Sequence, residues 1–186
     1  MPFPHVLGND FAGTVTEVGD GVTAYAIGDE VFGHEVPRAM GGMLPIARPS
    51  LTTGTLAEFA VFEADTPFVA RRPPELDVVV AAALPTVGLT ANAIVATAKI
   101  RAGEKVLVIG ATGGLYSITF PPPKPARLDI HAELILDTEG KMGGVQQTAA
   151  LTPRIAKIYS MSEAPAALSD FTHRHTLGKL VVRLAP

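Results

Sequence analysis

Between Lys105 and Pro125 the chain reads KVLVIGATGGLYSITFPPPKP. Val106 to Ile109 form a continuous apolar run, as expected of a strand covered on both faces of a parallel sheet. Gly110, Ala111, Thr112, Gly113 and Gly114 follow at once. A strand feeding a glycine turn is the usual opening of a nucleotide-binding unit, because bare backbone there can approach a phosphate. The continuation does not suit that chemistry. Ile118 and Thr119 are β-branched, and Pro121, Pro122, Pro123 and Pro125 remove backbone donors and favour an extended linker over a helix.

Elsewhere no Ser-His-Asp order, carboxylate pair or metal cluster stands out, so no catalytic residue is assigned. The absence of cysteine excludes a disulfide, a thiolate nucleophile and a sulfur-ligated zinc site. His34 and Glu35 are neighbours, but a metal needs three or four convergent ligands, and His34 reads as a loop histidine. Asn9 and Asp10 read as turn residues acting through their side chains. His173 and His175 fall in the last turn of an expected helix, where the helix dipole accounts for them.

The remaining elements follow from period and punctuation. At 186 residues and 47% hydrophobic content the chain has enough apolar material for a buried core and is not disordered. A net charge of -3 without a basic stripe gives no reason to expect nucleic acid. Residues 11–16 alternate as a half-buried strand, and turn signals at Gly19–Gly21 and Gly28–Asp29 lead to a short strand in EVFG. Arg38 to Gly54 reads as a loop, and Thr55 to Pro74 as two more strands, together suggesting a small barrel or sandwich. Val78 to Ala98 carries no charge and is long enough to span a bilayer, yet Pro85, Gly88 and Asn92 favour soluble helices over 77–84 and 90–98, broken at Pro85 and Gly88. No secretion signal is apparent at the start, and a cytoplasmic, membrane-free protein is expected. Leu128 to Leu136 is helix or strand. RIAKIYSM and KLVVRL read as strands flanking a helix over 163–171, with Ser162 as its cap and Pro165 tolerated in its first turn.

Five blocks, LGNDFAGTVTEVGDGVTAYAIGDEVFG, GTLAEFAVF, AAALPTVGLTANAIV, AGEKVLVIGATGG and LTPRIAKIYSMSEAPAALSDFTHRHTLGKLVVRL, occur in one order and cover about half of the chain. Together they resemble the medium-chain dehydrogenase/reductase superfamily, in its zinc-independent, NADPH-dependent quinone oxidoreductase-like branch. The resemblance implies a mixed α+β chain: a GroES-like β-rich barrel domain from both chain ends, residues 1–98 and 150–186, around an inserted Rossmann α/β domain. It implies hydride transfer from NADPH to a quinone, enone or similar acceptor, and no metal, since Gly8-Asn9-Asp10 stands where metal-dependent relatives carry Gly-His-Glu. It places Gly110, Ala111, Thr112, Gly113 and Gly114 at the pyrophosphate and Thr90 near the nicotinamide, although a plain helix N-cap explains Thr90 as well.

The chain departs from that pattern in three ways. The family's Asn-Pro…Asp…Tyr segment, expected ahead of Pro2, has no counterpart here. The pattern Ala-x-Gly-x-x-Gly falls on Ala111, Gly113 and Tyr116, and a tyrosine at the third position keeps the helix from packing on the strand. A Rossmann domain needs roughly 130 residues, whereas only about thirty-five separate Leu115 from the point near Ala150 where the resemblance resumes. Asp129 stands at a plausible distance for a ribose contact, but its surroundings make chance the better account. Residues 99–149 are thus expected to be a truncated cofactor-domain remnant with a Pro-rich linker. Two functions compete: an impaired reductase, or a non-catalytic β-module acting through protein association, including homo-oligomers.

Overall fold

The computed structural model describes residues 6–34, 54–64, 66, 68–99, 145–174 and 176–184. The glycine turn at 110–114, the proline run, Leu128 to Leu136, Asp129 and His175 lie outside them.

Three strands, β1 (Asp10–Thr14), β2 (Glu30–His34) and β3 (Val69–Arg71), form an antiparallel sheet in chain order. Asp10 faces His34 across the first pair, and Gly33 faces Val69 across the second. The hairpin is extended beyond β1 by Val15, which exchanges backbone bonds with Gly28 and Asp29. Gly28 has φ 95°, a conformation its missing Cβ makes easy. Of the two strands expected between Thr55 and Pro74, β3 alone forms among the described residues. The earlier segment bonds to the Gly8 and Leu7 carbonyls through the Thr55 and Leu56 amides and stacks Phe62 on Phe11, while Phe59 and Val61 are exposed.

Helices α1 (Val78–Ala83) and α2 (Pro85–Ala98) follow. Asp77 caps α1 by accepting from the Val79 and Val80 amides. The uninterrupted VVVAAA sequence of α1 reflects burial on two faces. Ala81, with Leu84 just beyond, packs with Phe32, Leu76, Ala91 and Val145, while Val79 and Ala83 pack against Val181. Pro85 breaks the helical run as expected. Gly88 does not: α2 continues through it, because a side chain there would strike Thr148, and bare backbone lets the two segments touch. Among the described residues no helix is long and apolar enough to cross a membrane.

A 3-10 segment (Val145–Ala150) lies against α2, with Val145 and Thr148 wholly buried. Strand β4 (Ile155–Ser160), helix α3 (Ala164–His173) and strand β5 (Lys179–Arg183) then form a parallel βαβ unit. The start of that helix differs from expectation. Glu163, not Ser162, is the N-cap of α3; Ser160 caps the 3-10 turn ahead of it in a capping box with Glu163, and Pro165 occupies the first turn of α3. Tyr159, the largest fully buried side chain, donates to Asp170 at 2.5 Å and so anchors α3 to β4.

Candidate functional site

A cluster of polar side chains lies where the start of β1, the end of β2, the start of α2 and the start of β5 converge. Asp10 is its centre. One carboxylate oxygen accepts from the Thr86 amide at 3.0 Å and from the Thr86 hydroxyl; the other pairs with Lys179 Nζ at 3.2 Å. The carboxylate therefore caps α2 from 76 residues away, next to the helix's positive end, and ties β5 to the first strand. Its side chain is 11% exposed, and Thr55 Oγ1 donates to the Asp10 carbonyl. The turn role expected of Asp10 gives way to this long-range one, because β1 begins at Asp10 itself.

His34 ends β2 directly opposite Asp10. Its Nδ1 accepts from the Asn9 side-chain amide at 2.9 Å, so the ring proton resides on Nε2. Burial pushes the ring's pKa below the usual 6.5, against the opposing pull of the Asp10 charge, and His34 is neutral at pH 7. The 4.0 Å approach of Nδ1 to Asp10 is accordingly a contact and not an ion pair at that pH. Phe68 meets the ring edge-on, with centroids 5.7 Å apart. His34 is thus a placed strand residue and not a loop histidine. Asn9, read from the sequence as a turn former, orients it.

Thr90 lies one helical turn beyond Thr86, inside α2 and not at its start, and its hydroxyl donates to the Thr86 carbonyl at 2.7 Å. The N-cap reading of Thr90 therefore fails: α2 begins five residues earlier and takes its cap from Asp10. Among the described residues no group of three metal-ligating side chains converges. His173 ends α3, bonding to Thr172 and the Ser169 carbonyl, a local capping arrangement in keeping with its position. Other ion pairs hold the scaffold. Asp29 accepts from Arg71 and the Ala26 amide, which keep its carboxyl below the usual range. Hydrogen bonding to Asp170, aided by burial, pushes the Tyr159 hydroxyl up.

Residues 1–73 match the alcohol dehydrogenase GroES-like domain. Quinone oxidoreductase of Rattus norvegicus is 38% identical over 113 residues, covering 60% of this chain and 29% of that protein. The NADPH-dependent alkenal/one oxidoreductase of Arabidopsis thaliana chloroplasts is 32% identical over 117 residues, covering 63% of this chain and 28% of that protein. The fold also matches the solved quinone oxidoreductase of Coxiella burnetii, with TM-score 0.67 and 19% identity over 98% of this chain and 80% of that one. Residues 1–73 thus belong to the alcohol dehydrogenase GroES-like domain family, in a chain similar to named quinone and alkenal/one oxidoreductases. The chain spans less than a third of the length of these two curated relatives.

One of these relatives is named as NADPH-dependent, and the described residues of this chain allow a test of fit to a dinucleotide. A pyrophosphate is held by open backbone N–H groups at a helix start. Here α1 begins on Asp77 and α2 on Asp10, so both starts already hold one of the chain's own carboxylates, whereas the Glu163 carboxylate ahead of α3 accepts from Ser160. The Thr90 hydroxyl proton is engaged within α2. The starts of α1 and α2 are therefore not open to a phosphate, and the glycine turn at 110–114 lies outside the described residues.

Proposed function

We propose that the chain carries the acceptor-side half of a zinc-independent, NADPH-dependent reductase of quinones or enones, and that by itself it binds NADPH weakly or not at all. The supporting observation is the Asp10–Thr86–His34–Lys179 cluster, a partly buried polar site in a domain whose relatives include named reductases. In this reading residues 1–98 and 150–186 form the GroES-like unit, and 99–149 is a cofactor-domain remnant. Thr90, Gly110, Ala111, Thr112, Gly113 and Gly114 are the residues assigned to NADPH, in a protein acting in the cytoplasm. NADPH, when bound, supplies the hydride; the protein supplies position and electrostatics. Calorimetric titration of the full chain with NADPH tests the reading: heats too small to fit a binding curve are expected, and a micromolar Kd would overturn it.

A second reading, a non-catalytic β-module acting through association, draws on the apolar surface of α3, where Phe171 is 73% exposed and Leu168 is also exposed. Light scattering that finds a strict monomer at high concentration would count against it.

A further inference from the structure

His34 has features that its packing alone does not require. Its Nδ1 is spent on Asn9, which has only N–H groups to offer from the amide nitrogen, so the tautomer is fixed with the proton on Nε2. The Thr86 hydroxyl, 3.5 Å away, gives its own proton to Asp10 and does not compete. Among the described residues Nε2 has no hydrogen-bond partner, although the side chain is only 16% exposed. An N–H without a protein acceptor on a ring whose other nitrogen is already engaged is a donor available to a ligand.

The surroundings narrow the class of acceptor. Asp10 lies 4.0 Å from the ring, which disfavours an anion, and the charge of Lys179 is already matched by that carboxylate. A cation has no free acceptor on a ring that presents N–H. What suits the site is a neutral oxygen with lone pairs, attached to a flat apolar body that can lie beside the Phe68 ring. We propose that the His34 Nε2–H donates a hydrogen bond to the carbonyl oxygen of a small enone or quinone, with Asn9 as the positioning residue that fixes the tautomer. This assignment rests on the reductase reading above, and deepens it by naming a substrate-binding group. It requires no cofactor.

The test uses the full chain without NADPH, so that its outcome is separate from cofactor binding. Nitrogen-15 NMR of the imidazole groups, with His34 identified by comparison with His34→Gln, reads the tautomer directly. Titration with 2-cyclohexen-1-one reads the contact. The expected result is an Nε2–H ring in the free protein and a saturable change at Nε2 with enone. By saturation-transfer NMR, enone affinity should fall about tenfold in His34→Phe and be largely retained in His34→Gln, whose amide can donate from a similar place. An Nδ1–H tautomer, no change at Nε2, or equal enone affinity in His34→Phe would each overturn the proposal. If His34→Phe does not fold, the tautomer and the titration of the wild-type chain decide the matter. A calorimetric NADPH result in either direction bears on the functional reading and not on this one.

Discussion

A single carboxylate, Asp10, serves a helix start, a hydroxyl and a lysine at once. Replacing it with asparagine keeps a carbonyl for Thr86 but leaves Lys179 unpaired in a partly buried setting. Removing one partner of a buried pair is the costly direction, so Asp10→Asn should destabilise the fold by about 2–4 kcal/mol, seen as a lower urea midpoint with an unchanged slope. Lys179→Met should cost less, about 1 kcal/mol, since Asp10 keeps both bonds from Thr86. His34 adds a pH dependence whose sign follows from its lowered pKa. The unfolded chain takes up the proton first as pH falls, so the histidine's contribution is complete above about pH 6.5 and is lost as pH drops through the folded value. The groups facing it are Asp10 from β1 and the positive start of α2, with Lys179 beyond Asp10 on β5. Urea melts across this range should show a weaker acid decline in His34→Gln. A steeper one would mean that the Asp10 charge, and not burial, governs the ring.

At the level of elements, the packing of α2 on the 3-10 segment depends on Gly88. An added Cβ would lie 2.7 Å from both Thr148 Cβ and Cγ2. Alanine favours helix over glycine by about 1 kcal/mol, but overpacking against a wholly buried threonine outweighs that gain. Gly88→Ala should therefore lose about 1–2 kcal/mol net in thermal or urea unfolding, and stabilisation would show that the 145–150 segment yields easily. This glycine also shows where the sequence was readable. Pro85 announced the helix break because proline acts through its own ring, whereas Gly88 looked like a second break because its reason lies in a segment some sixty residues away. Strands β1 and β4 were legible from local alternation, and β2 from the turn signals ahead of it. The cap of α2 was not, since Asp10 supplies it across 76 residues, and without that knowledge Thr90 was taken for a helix start. His34 was read as an ordinary loop residue because Asn9 and Thr86, which define its role, are neighbours only once the sheet and α2 have met.

For the molecule as a whole, the family and the mixed architecture were legible because they rest on long ordered blocks, and the GroES-like match over residues 1–73 agrees with them. The meeting of four chain segments at one carboxylate was not, since no local pattern encodes it. The association reading is tested at this scale too. Phe171→Ser removes an apolar group that is 73% exposed, so stability should change by no more than about 0.5 kcal/mol. If α3 is a contact surface, the same change should lower the apparent mass in light scattering at high concentration. An unchanged mass would remove Phe171 from consideration.

The pairing of Asp10 with Lys179 also bears on biosynthesis. The two residues are separated by 169 positions, so a ribosome must emit nearly all of the chain after the aspartate before the lysine appears. Until then the nascent β-hairpin carries an anion without its cation, and the α2 start is a partner that can reach it early. Closure of this contact is thereby deferred until 169 further residues have been made, an interval in which exposed apolar faces are open to chaperones and to other copies.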